Sequence, residues 1–139
     1  MTLALVPLAT MVAELRPPKV LSRTPAGTRM IYEVASGSIS GERLNAKMAG
    51  AAAADWMLVG PDGTGTLDVR SLVETDDGAL VFIQYSGRVD LSEGGTAPLY
   101  ATPRFETGDP RYGWLNKLQA VGKGILEGNT LTYDLYELR

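Results

Sequence analysis

Sixteen glycines and eight prolines are spread along the 139 residues and cut the chain into segments of about five to ten residues. That spacing suits the short strands of a sandwich or barrel and leaves little room for packed helices. Within the segments apolar and polar residues alternate with a period of two, which sends successive side chains to opposite faces of a sheet. Strands are predicted over Leu3 to Leu15, Lys19 to Thr24, Thr28 to Ser36, Ser38 to Asn45, Ala54 to Val59, Thr66 to Val73, Leu80 to Arg88, Leu99 to Thr107, Leu118 to Leu126 and Thr130 to Leu138. Turn residues separate them: Pro25-Ala26-Gly27, Pro61-Asp62-Gly63, Asp76-Asp77-Gly78, Glu93-Gly94-Gly95 and Glu127-Gly128-Asn129. One stretch, Gly41 to Ala54, accumulates Ala, Met and Leu, but it lacks a clean 3.6-residue period and contains Gly50, so at most a short helical turn is expected there.

Many short strands leave unpaired edges, and closure is the arrangement that removes them. The sequence therefore predicts an all-β protein: one domain over residues 1–139, an antiparallel closed β-barrel of about eight to ten strands with at most one or two short helical turns.

Composition narrows the chemistry. The chain has no His and no Cys, which excludes imidazole bases, thiolate nucleophiles, disulfides and the usual zinc ligands. Catalysis would have to use carboxylates, Tyr, Lys, Arg or backbone groups. The net charge of −3 argues against a nucleic-acid partner, whose binders carry a basic face. Met1 to Ala13 is apolar but lacks a basic leader and contains Pro7, so it reads as a strand, and Asp55 interrupts the apolar run Ala49 to Val59. The expectation is a soluble, cytoplasmic protein without a membrane partner.

Alternation sorts the polar residues. In one strand Leu67, Val69, Ser71 and Val73 oppose Asp68, Arg70, Leu72 and Glu74; in another Ala101, Pro103 and Phe105 oppose Tyr100, Thr102, Arg104 and Glu106. The charged faces meet either solvent, as cross-strand ion pairs, or a polar lumen. Leu80 to Val89 is apolar on both faces, which suggests a second layer, and a homodimer would supply one.

Four constellations invite a functional reading. Phe105 to Asn116, FETGDPRYGWLN, gathers charges, aromatics and an amide around a Gly-Asp-Pro turn. Arg104 can grip a carboxylate or enolate, Glu106 can move a proton, and Tyr112, Trp114 and Asn116 can cover a planar substrate; the alternative is an aromatic lid packed on the barrel mouth. Asp55 beside Trp56 could be a shielded carboxylate, although adjacent strand residues point to opposite faces. Glu74, Asp76 and Asp77 could hold a hard cation, but Asp-Asp-Gly is ordinary turn chemistry and no metal is expected. Gly60 to Gly65 lacks the Lys and following helix of a phosphate loop, so it reads as a turn.

The segments RMIYEVASG (29–37), ADWMLVGPDG (54–63), LDVRSLVETDDGA (67–79) and above all YATPRFETGDPRYGWLN (100–116) resemble the domain-of-unknown-function-3237 family, also called UPF0311, over about Leu5 to Glu137. The resemblance implies a compact β-barrel, commonly a homodimer, with a polar-lined cavity and no agreed activity. It places functional interest on Tyr32, Asp55, Trp56, Arg70, Glu74, Asp77, Arg104, Glu106, Tyr112, Trp114 and Asn116. Two departures stand out: the family's Gly-Gly-Ala-Asp-Trp is Ala52-Ala53-Ala54-Asp55-Trp56 here, and the Gly after Arg43-Leu44-Asn45 is Ala46. Added Cβ atoms at such positions would tighten or reshape a pocket.

The residues lead to a small-molecule-binding barrel using carboxylate acid/base chemistry with Arg, and the resemblance implies the working class: a cofactor-independent hydrolase, dehydratase, isomerase or cyclase acting on a small oxygenated or aromatic, polyketide-like compound. Glu106, Arg104, Glu74 and Asp55 are the candidate catalytic residues, and Arg70, Tyr32, Trp56, Tyr112, Trp114 and Asn116 the candidate substrate-binding ones. A non-catalytic ligand-binding barrel and a structural homodimer without ligand are the alternatives.

Overall fold

The computed structural model describes residues 1–139. Its strands are β1 (Leu5–Leu15), β2 (Lys19–Thr24), β3 (Gly27–Ser40), β4 (Ala46–Val59), β5 (Thr64–Thr75), β6 (Leu80–Asp90), β7 (Leu99–Ala101), β8 (Arg104–Glu106), β9 (Ala120–Glu127) and β10 (Thr130–Leu138). They form one antiparallel sheet in the order β1-β10-β9-β7-β6-β5-β4-β3-β2, and pairing of β1 with β3 closes it. β1 and β2 run in succession along β3, while β7 and β8 run in succession along β6. The ten segments thus make an eight-stranded closed barrel with two extra strands. The two breaks fall at Pro17-Pro18 and at Pro103, residues without an N–H to donate.

The predicted class is the observed one, with local corrections. Thr28 to Ser36 and Ser38 to Asn45 are a single strand up to Ser40, and Leu99 to Thr107 is two short strands. The helical turn expected within Gly41 to Ala54 does not form, since from Ala46 onward that stretch belongs to β4. Backbone pairing with β3 and β5 overrides the helix propensity of alanine, and the conflict survives as a bulge. Across Ala49 to Ala52, β4 leaves the ladder with both neighbours, and Gly50 takes φ of 63°. The only helix is a 3₁₀ helix, Pro110–Lys117, inside the tract that reads as a turn in the sequence.

That helix seals one end of the barrel. Asp109 caps it by accepting the Arg111 N–H at 2.9 Å, Pro110 opens it, and Leu115 enters the core with no exposed surface. Beneath it Leu8, Ile39, Leu44, Val81, Ile83 and Phe105 fill the lumen. The helix is fastened from both sides. Tyr112 donates its hydroxyl to Asp77 Oδ1 at 2.8 Å, and Arg111 forks between Asp109 and Asp77. Arg43 stacks over the Trp114 ring at 4.5 Å, and the Asn116 amide accepts the Thr107 N–H while donating to the Thr107 carbonyl.

The other half of the lumen is not filled. Tyr133 reaches into it over a glycine. Gly124 lies directly across from Tyr133 on β9, and a Cβ there would meet the ring at 2.6 Å. Gly124→Ala is therefore expected to displace the ring and cost about 1–3 kcal/mol. Urea unfolding checks this, and an unchanged midpoint would show that the ring has room to move.

Candidate functional site

Above the packed half lies a cavity of about 290 Å³, roofed by the β6–β7 connection through Leu91, Gly95 and Ala97. Its wall is mainly aliphatic, with Met30, Val34, Met57, Val69 and Leu131 among the contributors. Four polar side chains reach it: Asp55, Tyr32, Tyr85 and Tyr133. No Lys or Arg lines it. The cavity is less polar than the family resemblance leads one to expect.

Strand alternation places Asp55. On β4, Ala53, Asp55 and Met57 face inward and Trp56 faces out. Asp55 sits opposite Tyr32 of β3 on one side and Val69 of β5 on the other. Its Oδ1 accepts the Asp68 N–H at 3.0 Å, at the point where the β4–β5 ladder skips Trp56 and Met57. The carboxylate thus substitutes for a backbone acceptor with one oxygen. The other, Oδ2, accepts no hydrogen bond from the protein.

Burial dominates the electrostatics. It pushes the Asp55 carboxyl up to about 6, the Asp68 N–H pulling it partly back and the Asp68 charge adding slightly to the rise. Tyr32 is raised by burial and then by the Asp55 charge. Tyr85 is raised well above the ordinary phenol range by burial, then by Tyr133 and Asp55, and Tyr133 is raised by burial and then by Asp55. Near neutral pH the lumen therefore holds one carboxyl able to carry or release a proton and three phenols that stay neutral. The Tyr85 and Tyr133 rings meet edge to face with centroids 5.8 Å apart.

The structure brings together only part of the site expected from the sequence. Asp55 and Tyr32 face each other in the cavity. Trp56 does not join them; it stands on the outer wall with the Arg70 guanidinium 5.8 Å from its ring. Arg104, Glu106, Arg70 and Glu74 could act together only if their strand faces turned inward, and their candidacy as a shared site is corrected: all four are exposed on the outer wall. The alternation separates the two faces correctly, but the inward positions belong to Phe105 on β8 and to Leu67, Val69 and Val73 on β5. Burying four charges in their place would cost far more than burying those apolar groups. Tyr112, Trp114 and Asn116 do close a barrel end, but the one opposite the cavity, where they fasten the 3₁₀ helix.

Glu74, Asp76 and Asp77 form no metal-binding group. Asp77 is occupied by the Thr75 and Tyr112 hydroxyls and by Arg111, which together lower its pKa. Sequence reasoning passed over Tyr85 and Tyr133 as site residues. The available signal was a phenol on an otherwise aliphatic strand face: Tyr85 with Val81, Ile83 and Val89, and Tyr133 with Leu131 and Leu135.

The comparisons agree with this architecture. The model of a family described as protein of unknown function (DUF3237) matches residues 3–138. A UPF0311 protein of Rhodopseudomonas palustris (strain TIE-1) is 26% identical over 125 residues, 81% of each chain. The crystal structure of a β-barrel-like protein from Acinetobacter baumannii AYE superposes with a TM-score of 0.88 at 31% identity, over 100% of this chain and 98% of that one. A hydroalkoxylation enzyme, phnH, of Penicillium herquei is 26% identical over 119 residues, covering 84% of this chain and 72% of that protein.

Proposed function

The chain belongs to the DUF3237 family, and from that premise we propose that it is a cofactor-independent enzyme which moves a proton with Asp55 on a compact, mostly apolar molecule held in the lumen. The observation that carries this reading is Asp55 itself: a single half-free carboxyl, raised to about 6, faces three phenols in an otherwise aliphatic cavity. A general acid or base works best with a pKa near the operating pH, and a carboxyl reaches that value through desolvation. The cavity volume of about 290 Å³ suits a small substrate, at the lower end of the roughly 300–1,000 Å³ common for such sites.

The relative named as a hydroalkoxylation enzyme suggests a reaction that fits these groups. In hydroalkoxylation a hydroxyl adds across a carbon–carbon double bond. Neutral Asp55 would deliver its proton to one alkene carbon as the substrate oxygen bonds to the other. The hydroxyl proton would then return to the Asp55 carboxylate, leaving the enzyme unchanged. The phenols contribute dipoles around the developing positive charge. Arg, assigned an assisting role from the sequence, has no place in this version because none lines the cavity.

An assay with 2-allylphenol and related neutral alkenols, following ring closure to the cyclic ether, tests the proposal. Turnover by the wild type and a loss of about 10²–10⁴-fold in Asp55→Asn are expected. Undiminished turnover in that variant would overturn the assignment. Binding without turnover across a broad panel of alkenols, lactones and phenolic acids would favour a ligand-binding barrel instead.

We also propose that the chain pairs with a second copy. Leu21, Ile31 and Trp56 share the outward face of β2, β3 and β4, and Trp56 is 39% exposed there. Sedimentation at micromolar concentration is expected to give about twice 14.8 kDa, and a single species at 14.8 kDa would reject the pairing.

A further inference from the structure

Tyr133 is only 1% exposed, yet its hydroxyl makes no hydrogen bond to any protein group. The ring is fixed by the open space over Gly124 and by the edge of Tyr85, so the hydroxyl cannot swing to a surface partner. The Tyr85 hydroxyl is its nearest polar neighbour, close enough to affect its ionisation, but the pair does not meet hydrogen-bond geometry. A buried hydroxyl without a partner is destabilising and uncommon. The Tyr133 side chain is among those that line the cavity holding Asp55.

We infer that the Tyr133 hydroxyl is the specificity-determining group of the lumen, and that the site takes a neutral apolar molecule whose one oxygen bonds to that hydroxyl. The charge of the ligand follows from the wall. With no Lys or Arg on it, an anion would lose its hydration beside the Asp55 carboxyl without any compensating charge. A cation would hold Asp55 ionised and remove the proton it carries. A neutral hydroxyl or carbonyl meets neither cost, and a phenol can donate to it or accept from it. The inference rests on reading the lumen as the functional site, but on no particular reaction.

Four probes with one body and different polar groups test it: naphthalene, 1-naphthol, 1-naphthoate and 1-naphthylmethylammonium. Affinities come from equilibrium dialysis, and the methyl resonances of Met30 and Met57, which line the cavity, report whether a probe is inside. In the wild type 1-naphthol is expected to bind about tenfold more tightly than naphthalene and more tightly than either ion. In Tyr133→Phe, which removes only the hydroxyl, the tenfold preference should vanish while naphthalene binding is kept. A preference retained in Tyr133→Phe would overturn the inference and leave the lumen as the site. An ion binding as tightly as 1-naphthol would overturn the ligand class. Failure of all four to shift Met30 or Met57 would overturn the lumen reading, and this inference with it.

Discussion

Asp55→Asn is expected to make the protein more stable at pH 7 by up to about 3 kcal/mol, and to make little difference below about pH 3. The sign follows from the raised pKa. Folding favours the neutral carboxyl, whose pKa moves from the ordinary 3.8 to about 6. About a unit or more below 3.8 folded and unfolded chains are both protonated and the group contributes nothing. As pH rises toward 6 the unfolded chain releases its proton first, so stability falls; above 6 the loss is complete, at about 1.4 kcal/mol per unit. Tyr32 from β3, Tyr85 from β6 and Tyr133 from β10 stay neutral throughout, and Asp68 of β5 is exposed to solvent on the outer face. Asp62, Asp77, Asp90, Asp109 and Glu137, whose pKa values are lowered, act in the opposite sense and lose their contribution as pH falls. They are common to both proteins and cancel in the difference. Paired denaturation curves from pH 4 to pH 8 measure it. A difference that stays constant with pH would mean that Asp55 is not desolvated.

Leu115→Ala is expected to lower stability by about 2–5 kcal/mol, the cost of removing a fully buried leucine and leaving a void where the helix seals the barrel. Tyr112→Phe, which loses one exposed hydrogen bond to Asp77, should cost much less. Because the seal and the cavity occupy opposite ends, Leu115→Ala should bind 1-naphthol as the wild type does under conditions where both are folded. Weaker binding by the folded variant would show that the two ends are coupled. Chemical denaturation and dialysis on the same samples separate the two effects.

The fold was legible because its causes are local. Turn residues mark the strand ends, and period-two alternation sorts the faces; Lys19–Thr24 and Thr130–Leu138 match their predicted bounds. Which face points inward depends on closure, a long-range property. For β8 the alternation groups Arg104 with Glu106 and isolates Phe105, but a chemical interest in charge favours the wrong side as the lumen. Apolar content would have decided it, since the interior of a small barrel is packed by side chains. The tract 105–116 misleads for a related reason. Capping, ion pairing and aromatic stacking look the same in sequence whether they hold a helix in place or a ligand. Asp55 was legible as a carboxylate inside a strand, and the resemblance added Tyr32. Tyr85 and Tyr133 were not, because a phenol among aliphatic residues reads as core until the cavity beside it is known. Tyr133 also depends on Gly124, a contact between neighbouring strands that only the register reveals.

The direct test of the lumen as a proton-transfer site is a pH titration of the Asp55 carboxyl carbon by NMR in ¹³C-aspartate-labelled protein, assigned with Asp55→Asn and repeated with 1-naphthol bound. A free midpoint near pH 6 that moves when the ligand occupies the cavity is the expected result. A midpoint near the ordinary 3.8, unmoved by ligand, would mean a solvated carboxylate that takes no part in binding, and would contradict the assignment of the site.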